Sequence, residues 1–346
     1  MSITDLGYIF NWWLVLFLIG VVFLPLTVKI FSNFIDRGYI FAKVLGILII
    51  SYFLFLLGSL KVLPFTQAAI FLVIAALAII NIFLFVKVPP LTRWHLLKSS
   101  WKIFLFEEVL FFSALFFWSY VRAHEPSIHG LEKYMDFGFV NSILRSDYFP
   151  PKDMWYTPLS INYYYFGHIV TAVLTKLSGI DSVITYNLMM ATLFALTFTG
   201  AFSIGANLFE LRKRGVAEES RTLWCGMTGP RAIMAGLLTG FLVTLAGNLH
   251  TIYAFFKPYL PENPLPFWQL QFSPATFPNS YWYPNATRFI ENTIHEFPLY
   301  SFVVSDLHGH VLDIPVVLLT IAVLLSLKSK HEYRSTKQYA NSKIIN

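Results

Sequence analysis

The chain has 346 residues, of which 56% are hydrophobic, 18% aromatic and only 13% charged, with a formal net charge of +6. Together with several apolar runs of bilayer length, this balance excludes an ordinary soluble domain and a β-barrel, and gives an all-α, polytopic integral membrane protein. The excess of Lys and Arg fits loops beside anionic lipid, and no basic stripe suited to a nucleic-acid partner is present. The single cysteine, Cys225, allows neither an intrachain disulfide nor a cysteine-based metal site. The opening MSITDLGYIFNWW lacks a basic n-region and a small-residue cleavage site, so the first span is expected to stay as an anchor.

About eight apolar segments are expected in chain order. The first four are residues 10–31, with Trp12 and Trp13 placed as an interfacial belt, then 44–60, 64–86 and 103–120. Pro89 and Pro90 break any helix between the third and fourth. The stretch 91–102 is basic and aromatic and reads as an amphipathic segment lying on the membrane surface. Glu107 and Glu108 enter the fourth span and are expected at the membrane interface, with a polar interior as the alternative. Further segments follow at 163–177, 183–209, 233–249 and 311–327. The organisation is thus N-terminal transmembrane segments over 1–102, a module over 103–327 with polar loops 122–168 and 250–310, and a polar tail over 328–346. The second loop is dense in proline and aromatic residues and too long to be a mere connector.

Lys29, Arg37, Lys43, Arg93, Lys98 and Lys102 place their loops in the cytosol, which puts loop 122–168 outside. Three full crossings after it would carry the basic linker 211–231 outside too. That conflict vanishes if segment 163–177 only dips in or lies on the surface. Both polar loops are then extracytoplasmic.

Three constellations can carry chemistry. In the first loop, Glu125, Glu132 and Asp136 are carboxylates just beyond a span, able to act as a base or hold a divalent metal, or simply to keep the loop in water. Glu132 and Asp136 share a face if helical. The second is Asn162, Tyr163, Tyr164, Tyr165 and His168: the rings suit either a headgroup-level anchor or a stack against a sugar. The third joins His295 and Glu296 to Asp306, His308 and His310. If extended, the last three point to one side and suit a shared metal or phosphate. On a helix, His308 and His310 diverge by about 200°. Polar capping of the last helix by Asp306 is the plainer reading. Arg288 can meet a phosphate. No glycine-rich phosphate loop, Ser/His/Asp order or paired-cysteine signature appears, which argues against ATP-driven chemistry.

The segments MDFGFVNSILRS, INYYYFGHIVTAVLTKLSGI and HEFPLYSFVVSDLHGHVLDIP, in this order, resemble the archaeal and Chloroflexi "YYY" membrane proteins, a DUF2298-like family of unknown function. That family is in turn remotely similar to GT-C glycosyltransferases. The resemblance implies a polyprenyl-phosphate-linked sugar donor on the extracytoplasmic face and an acid of the first outer loop, here Asp136 or Glu125, as catalytic base or metal ligand. The later loop would complete the site. On this reading Asn162, Tyr163, Tyr164, Tyr165, His168, Arg288 and Glu296 contact substrate, and Asp306, His308 and His310 hold a divalent metal, Mg or Mn. GT-C enzymes carry more spans after the late loop than the one seen here. The rival expectation is a transporter, or a lipid-binding or assembly protein without catalysis. A transporter would place charges within spans and often shows a repeat. Here the charges read as loop residues and no repeat is visible, which favours the enzyme.

Overall fold

A computed structural model describes residues 2–87, 89–216, 229–247, 255–257, 265–274, 287 and 292–345. It divides into two compact units, Met1–Gly240 with Asp306–Asn346, and Phe241–Ser305. The described residues form helices, with two isolated bridges, Lys152 to Ser160 and Phe256 to Phe272. In chain order the helices are α1 (Ile3–Ile30), α2 (Tyr39–Ser59), α3 (Gln67–Val86), α4 (Pro90–His124), α5 (Lys133–Arg145), α6 (Phe166–Ser178), α7 (Ser182–Val216), α8 (Pro230–Thr244), α9 (Pro298–Val304) and α10 (Gly309–Ile345).

The helix ends follow local chemistry. Ser2 and Asp5 close a capping box at the start of α1, and the Thr66 hydroxyl accepts from the Ala69 amide at the start of α3. Pro90 opens α4, the position where a missing amide hydrogen is harmless. Gly179 ends α6 at φ +68°, a left-handed conformation that glycine adopts without penalty.

Among the described residues, six helical stretches are long and apolar enough to cross a membrane: Ile3–Ile30, Tyr39–Ser59, Gln67–Val86, Ser100–His124, Ser182–Arg212 and Gly309–His331. The chain is therefore a polytopic membrane protein. Of the eight apolar segments expected, those at 163–177 and 233–249 become α6 and α8, of 13 and 15 residues, too short for that set. The stretch 91–102 is no separate surface segment. It runs without a break into the fourth span, because no proline or glycine interrupts the chain between Leu91 and His124. Both expected boundaries, 102/103 and 327/328, fall inside continuous helices, and the polar tail prolongs α10 to Ile345.

In the first unit α7 is the central helix, almost wholly buried across its span and packed against α2, α4, α6 and α10. α3 turns Phe71, Ile79 and Phe83 outward, as a lipid-facing helix must. α7 and α8 approach closely through small residues. A Cβ on Gly236 would lie 2.8 Å from the Phe202 carbonyl oxygen, and one on Gly240 3.0 Å from that of Phe198. The Gly236-xxx-Gly240 spacing puts both on one face of α8.

α6 keeps to one end of this unit. Asn11 of α1 and Gln67 of α3 donate to the carbonyls of Ser178 and Lys176, Thr175 meets Thr185 near the start of α7, and Phe166 packs on Phe55 late in α2. The segment between α4 and α6 lies at this same end, called here the polar end.

Glu107 and Glu108 follow the alternative expectation, a polar interior within the bundle. Both are buried, about two turns into the span Ser100–His124, and Glu108 faces Lys43, Tyr39 and Trp13 inside the bundle. An acid flanked by apolar residues on a helix this long cannot reach its end, so it turns to internal donors instead.

Candidate functional site

Short helix α5 carries the first half of the site. Its apolar face buries Phe139, Val140 and Ile143, and Asp136, in the first turn, goes inward with them. Asp136 Oδ1 lies 3.1 Å from Nε2 of His168, in the first turn of α6, and neither side chain has any exposed surface. The Phe139 ring meets the His168 ring edge-on at 5.4 Å. Asp136 Oδ2 and His168 Nδ1 have no hydrogen-bond partner. Gly167, beside His168, admits α10: a Cβ there would stand 2.5 Å from Cδ1 of Leu312.

The water-facing half is centred on His308. Its Nε2 is 2.8 Å from the hydroxyls of both Tyr163 and Tyr164 and 3.0 Å from Oε2 of Glu132, while its Nδ1 is 2.9 Å from Nδ1 of His310. The two tyrosine rings stack at 3.9 Å, and Tyr163 donates to Tyr164 or accepts from it at 2.6 Å. The His308 side chain keeps 22% of its surface and that of Glu132 keeps 54%, so solvent reaches both. Beside them Lys133 Nζ approaches Asp306 at 3.3 Å, and the Tyr186 hydroxyl accepts from the Leu307 amide at 3.0 Å. The last contact anchors the turn that presents His308. Gly309 completes the seat, because a Cβ there would stand 2.4 Å from the Tyr164 ring.

The electrostatics follow from burial. Desolvation holds the Asp306 carboxyl above its ordinary range, and the Lys133 ammonium opposes it. Desolvation, and then the bond to Tyr164, push the Tyr163 phenol up. The exposed Glu125 carboxyl is held below its ordinary range by the Ser127 hydroxyl and amide.

The structure thus gathers Asp136, His168, Tyr163, Tyr164, His308, His310 and Asp306 at one end of the first unit. Other expected residues fall elsewhere. Glu125 closes the end of α4 and bonds Ser127. Asn162 is exposed, and Tyr165 turns away to meet Phe55 of α2 edge-on, so the tyrosine triplet divides. Glu296 belongs to the second unit, where Ser301 donates to it at 3.3 Å. Arg288 lies outside the described residues.

Asp306, His308 and His310 do not fit a metal. Asp306 faces Lys133, and the two histidines point ring nitrogens at one another rather than at a common centre. Among the described residues no group of three His, Cys, Asp or Glu side chains could hold an ion. The reason is local. The chain turns into α10 at Gly309, so the extended backbone that would align the three is missing.

Glu132, Lys133 and Tyr186 are the members that sequence reasoning left out of its site. The sequence offers Glu132 beside Glu125 and Asp136 as a carboxylate just beyond a span, but the resemblance assigns the base to the other two. In fact it sits at the head of α5 and points to His308, whereas Asp136 points inward. A lone tyrosine in the apolar run of α7 is the one signal that could have drawn attention to Tyr186.

A family model described as an uncharacterized membrane protein (DUF2298) matches residues 49–344, which include every member of this site. No curated protein and no solved structure matches the chain.

Proposed function

The chain belongs to the DUF2298 family of uncharacterized membrane proteins, and from that premise we propose that it is a GT-C-like glycosyltransferase, moving sugar from a polyprenyl-phosphate donor to an extracytoplasmic acceptor. The observation that carries this reading is the contact of His308 with Glu132, Tyr163 and Tyr164 at a water-accessible surface. An acid–imidazole pair in reach of solvent can take a proton, and an exposed tyrosine ring offers a face to a sugar.

In the proposed step the acceptor hydroxyl loses its proton to the Glu132–His308 pair, its oxygen bonds to the anomeric carbon, and the bond from that carbon to the phosphate oxygen breaks. Polyprenyl phosphate departs with the electron pair. Lys133, on the same turn as Glu132, is the cation nearest in sequence to attract that phosphate. Asp136 has no exposed surface, so its proposed part is to position His168 and α6 rather than to touch the acceptor. Glu125 is exposed but its carboxylate is engaged by Ser127, so the proton is assigned to the Glu132–His308 pair instead.

The test is turnover of polyprenyl-phosphate hexoses in proteoliposomes. His308→Ala and Glu132→Gln should each lower kcat by about 100-fold or more, the range of a lost acid–base group. Turnover equal to wild type in both variants sinks the proposal.

One observation favours a second reading, a transporter or lipid-binding protein. Charges do lie within the spans: Lys43, Glu107 and Glu108 are all buried there. Flux of labelled lipid across proteoliposomes without sugar transfer would select it.

A further inference from the structure

A second ionisable cluster lies in the first unit, far from His308. It is built by Asp36 in the connection between α1 and α2, by Tyr39 and Lys43 of α2, by Glu107 and Glu108 of α4, and by Ser203 and Asn207 of α7. Seventeen residues of helix separate Glu107 from His124, about 25 Å at 1.5 Å per residue.

Most of this cluster is internally matched. Lys43 Nζ stands 2.5 Å from Glu108 Oε2, which also accepts from the Tyr39 hydroxyl at 2.7 Å, while the Trp13 indole donates to Glu108 Oε1 at 2.7 Å. Asp36 accepts from Ser203, from the Asn207 amide at 3.1 Å and from the Gly38 backbone at 3.1 Å. Lys43 and Glu108 cancel, and Asp36 is surrounded by donors, as a carboxylate should be. Glu107 is different. It has no exposed surface, its oxygens meet no donor in ordinary hydrogen-bond geometry, and the groups within reach of them are the Asp36 carboxyl and the Ile40 backbone.

An ionised carboxylate so placed would face a second negative carboxylate with its own solvation gone, a penalty of several kcal/mol per ion. A metal is a poor remedy, since no three ligating side chains converge among the described residues. A proton removes the charge and needs no ligand set. We infer that Glu107 is a proton-binding site in the interior of the helical bundle, its carboxyl protonated and turned toward the Asp36 carboxylate. The ionisable groups facing it are Asp36, Tyr39, Lys43 and Glu108, with Arg37 next in sequence to Asp36; α7 contributes Ser203 and Asn207, neither of which titrates. This inference stands apart from the glycosyltransferase reading and survives its failure.

The experiment is infrared difference spectroscopy on the full chain in proteoliposomes. At neutral pH, wild type minus Glu107→Gln should show the carbonyl stretch of one protonated carboxyl, disappearing as pH is raised. Asp36→Asn should keep that band but lose it at lower pH, since the negative neighbour that retains the proton is gone. Glu107→Gln, which mimics the neutral acid, should also keep the wild-type Tm. A carboxylate band in its place at neutral pH, or an unchanged midpoint in Asp36→Asn, overturns the inference. So does a Glu107→Gln chain that no longer folds.

Discussion

Three donors hold the carboxylate of Glu108 inside the bundle: Lys43, Tyr39 and Trp13. The pair adds little net stability, because burying two charges offsets most of their attraction, but breaking it leaves one charge stranded. Lys43→Met should therefore lower unfolding free energy in detergent by about 3–5 kcal/mol, and adding Glu108→Gln should restore much of it. Equal stability of the two variants would show that Tyr39 and Trp13 suffice. Asp306 gives a pH signature. Its carboxyl is raised in the folded chain from 3.8, by burial first and against Lys133. The folded state thus binds this proton more tightly than the unfolded one. The stabilisation is complete below that value and is lost as pH rises through the folded value. Wild-type Tm should consequently fall against that of Asp306→Asn over the window just above 3.8; a constant difference would contradict the raised carboxyl.

Helices α7 and α8 pack with glycine against backbone. Gly236→Ala would force a Cβ to within 2.6 Å of the Phe202 ring and 2.8 Å of its carbonyl oxygen. Overpacking of this kind costs about 1–3 kcal/mol, and thermal unfolding should register it, while Gly7→Ala, with nothing within 4 Å of its Cβ, should be neutral. The elements also show what a sequence tells and withholds. The spans were legible because hydrocarbon demands long apolar runs. The stretch 91–102 was misread because a basic, aromatic pattern looks alike whether a helix lies flat or continues into a span. Glu107 and Glu108 were visible as acids in an apolar run, but Lys43, the counter-ion of Glu108, is 65 residues away. Likewise the tyrosines and His308 each stood out alone. Their meeting spans 145 residues, and nothing in local spacing encodes it.

Across the molecule, the cluster around Glu107 lies about 25 Å along α4 from the polar end, where the site around His308 is built. At such a separation variants of the two should behave independently, so that the unfolding free-energy changes of His308→Ala and Glu107→Gln add within about 0.5 kcal/mol in the double variant. Their separation predicts that they lie toward different faces of a bilayer, which cysteine labelling can check. In a Cys225→Ser background, a membrane-impermeant maleimide should reach Ser127→Cys and Ser329→Cys from opposite sides of sealed vesicles; labelling of both from one side would refute the arrangement. The encasement of α7 has a last consequence, for biogenesis. Its Thr192, Thr197 and Thr199 hydroxyls donate to carbonyls one turn back in α7 itself, so it is Asp36, held by Ser203 and Asn207, that depends on the neighbouring chain. Yet α10 is synthesised after the whole of residues 241–305. Until residue 309 has been made, the flank of α7 that α10 covers stays open, and α7 can bear this because its hydroxyls are already paired within their own helix.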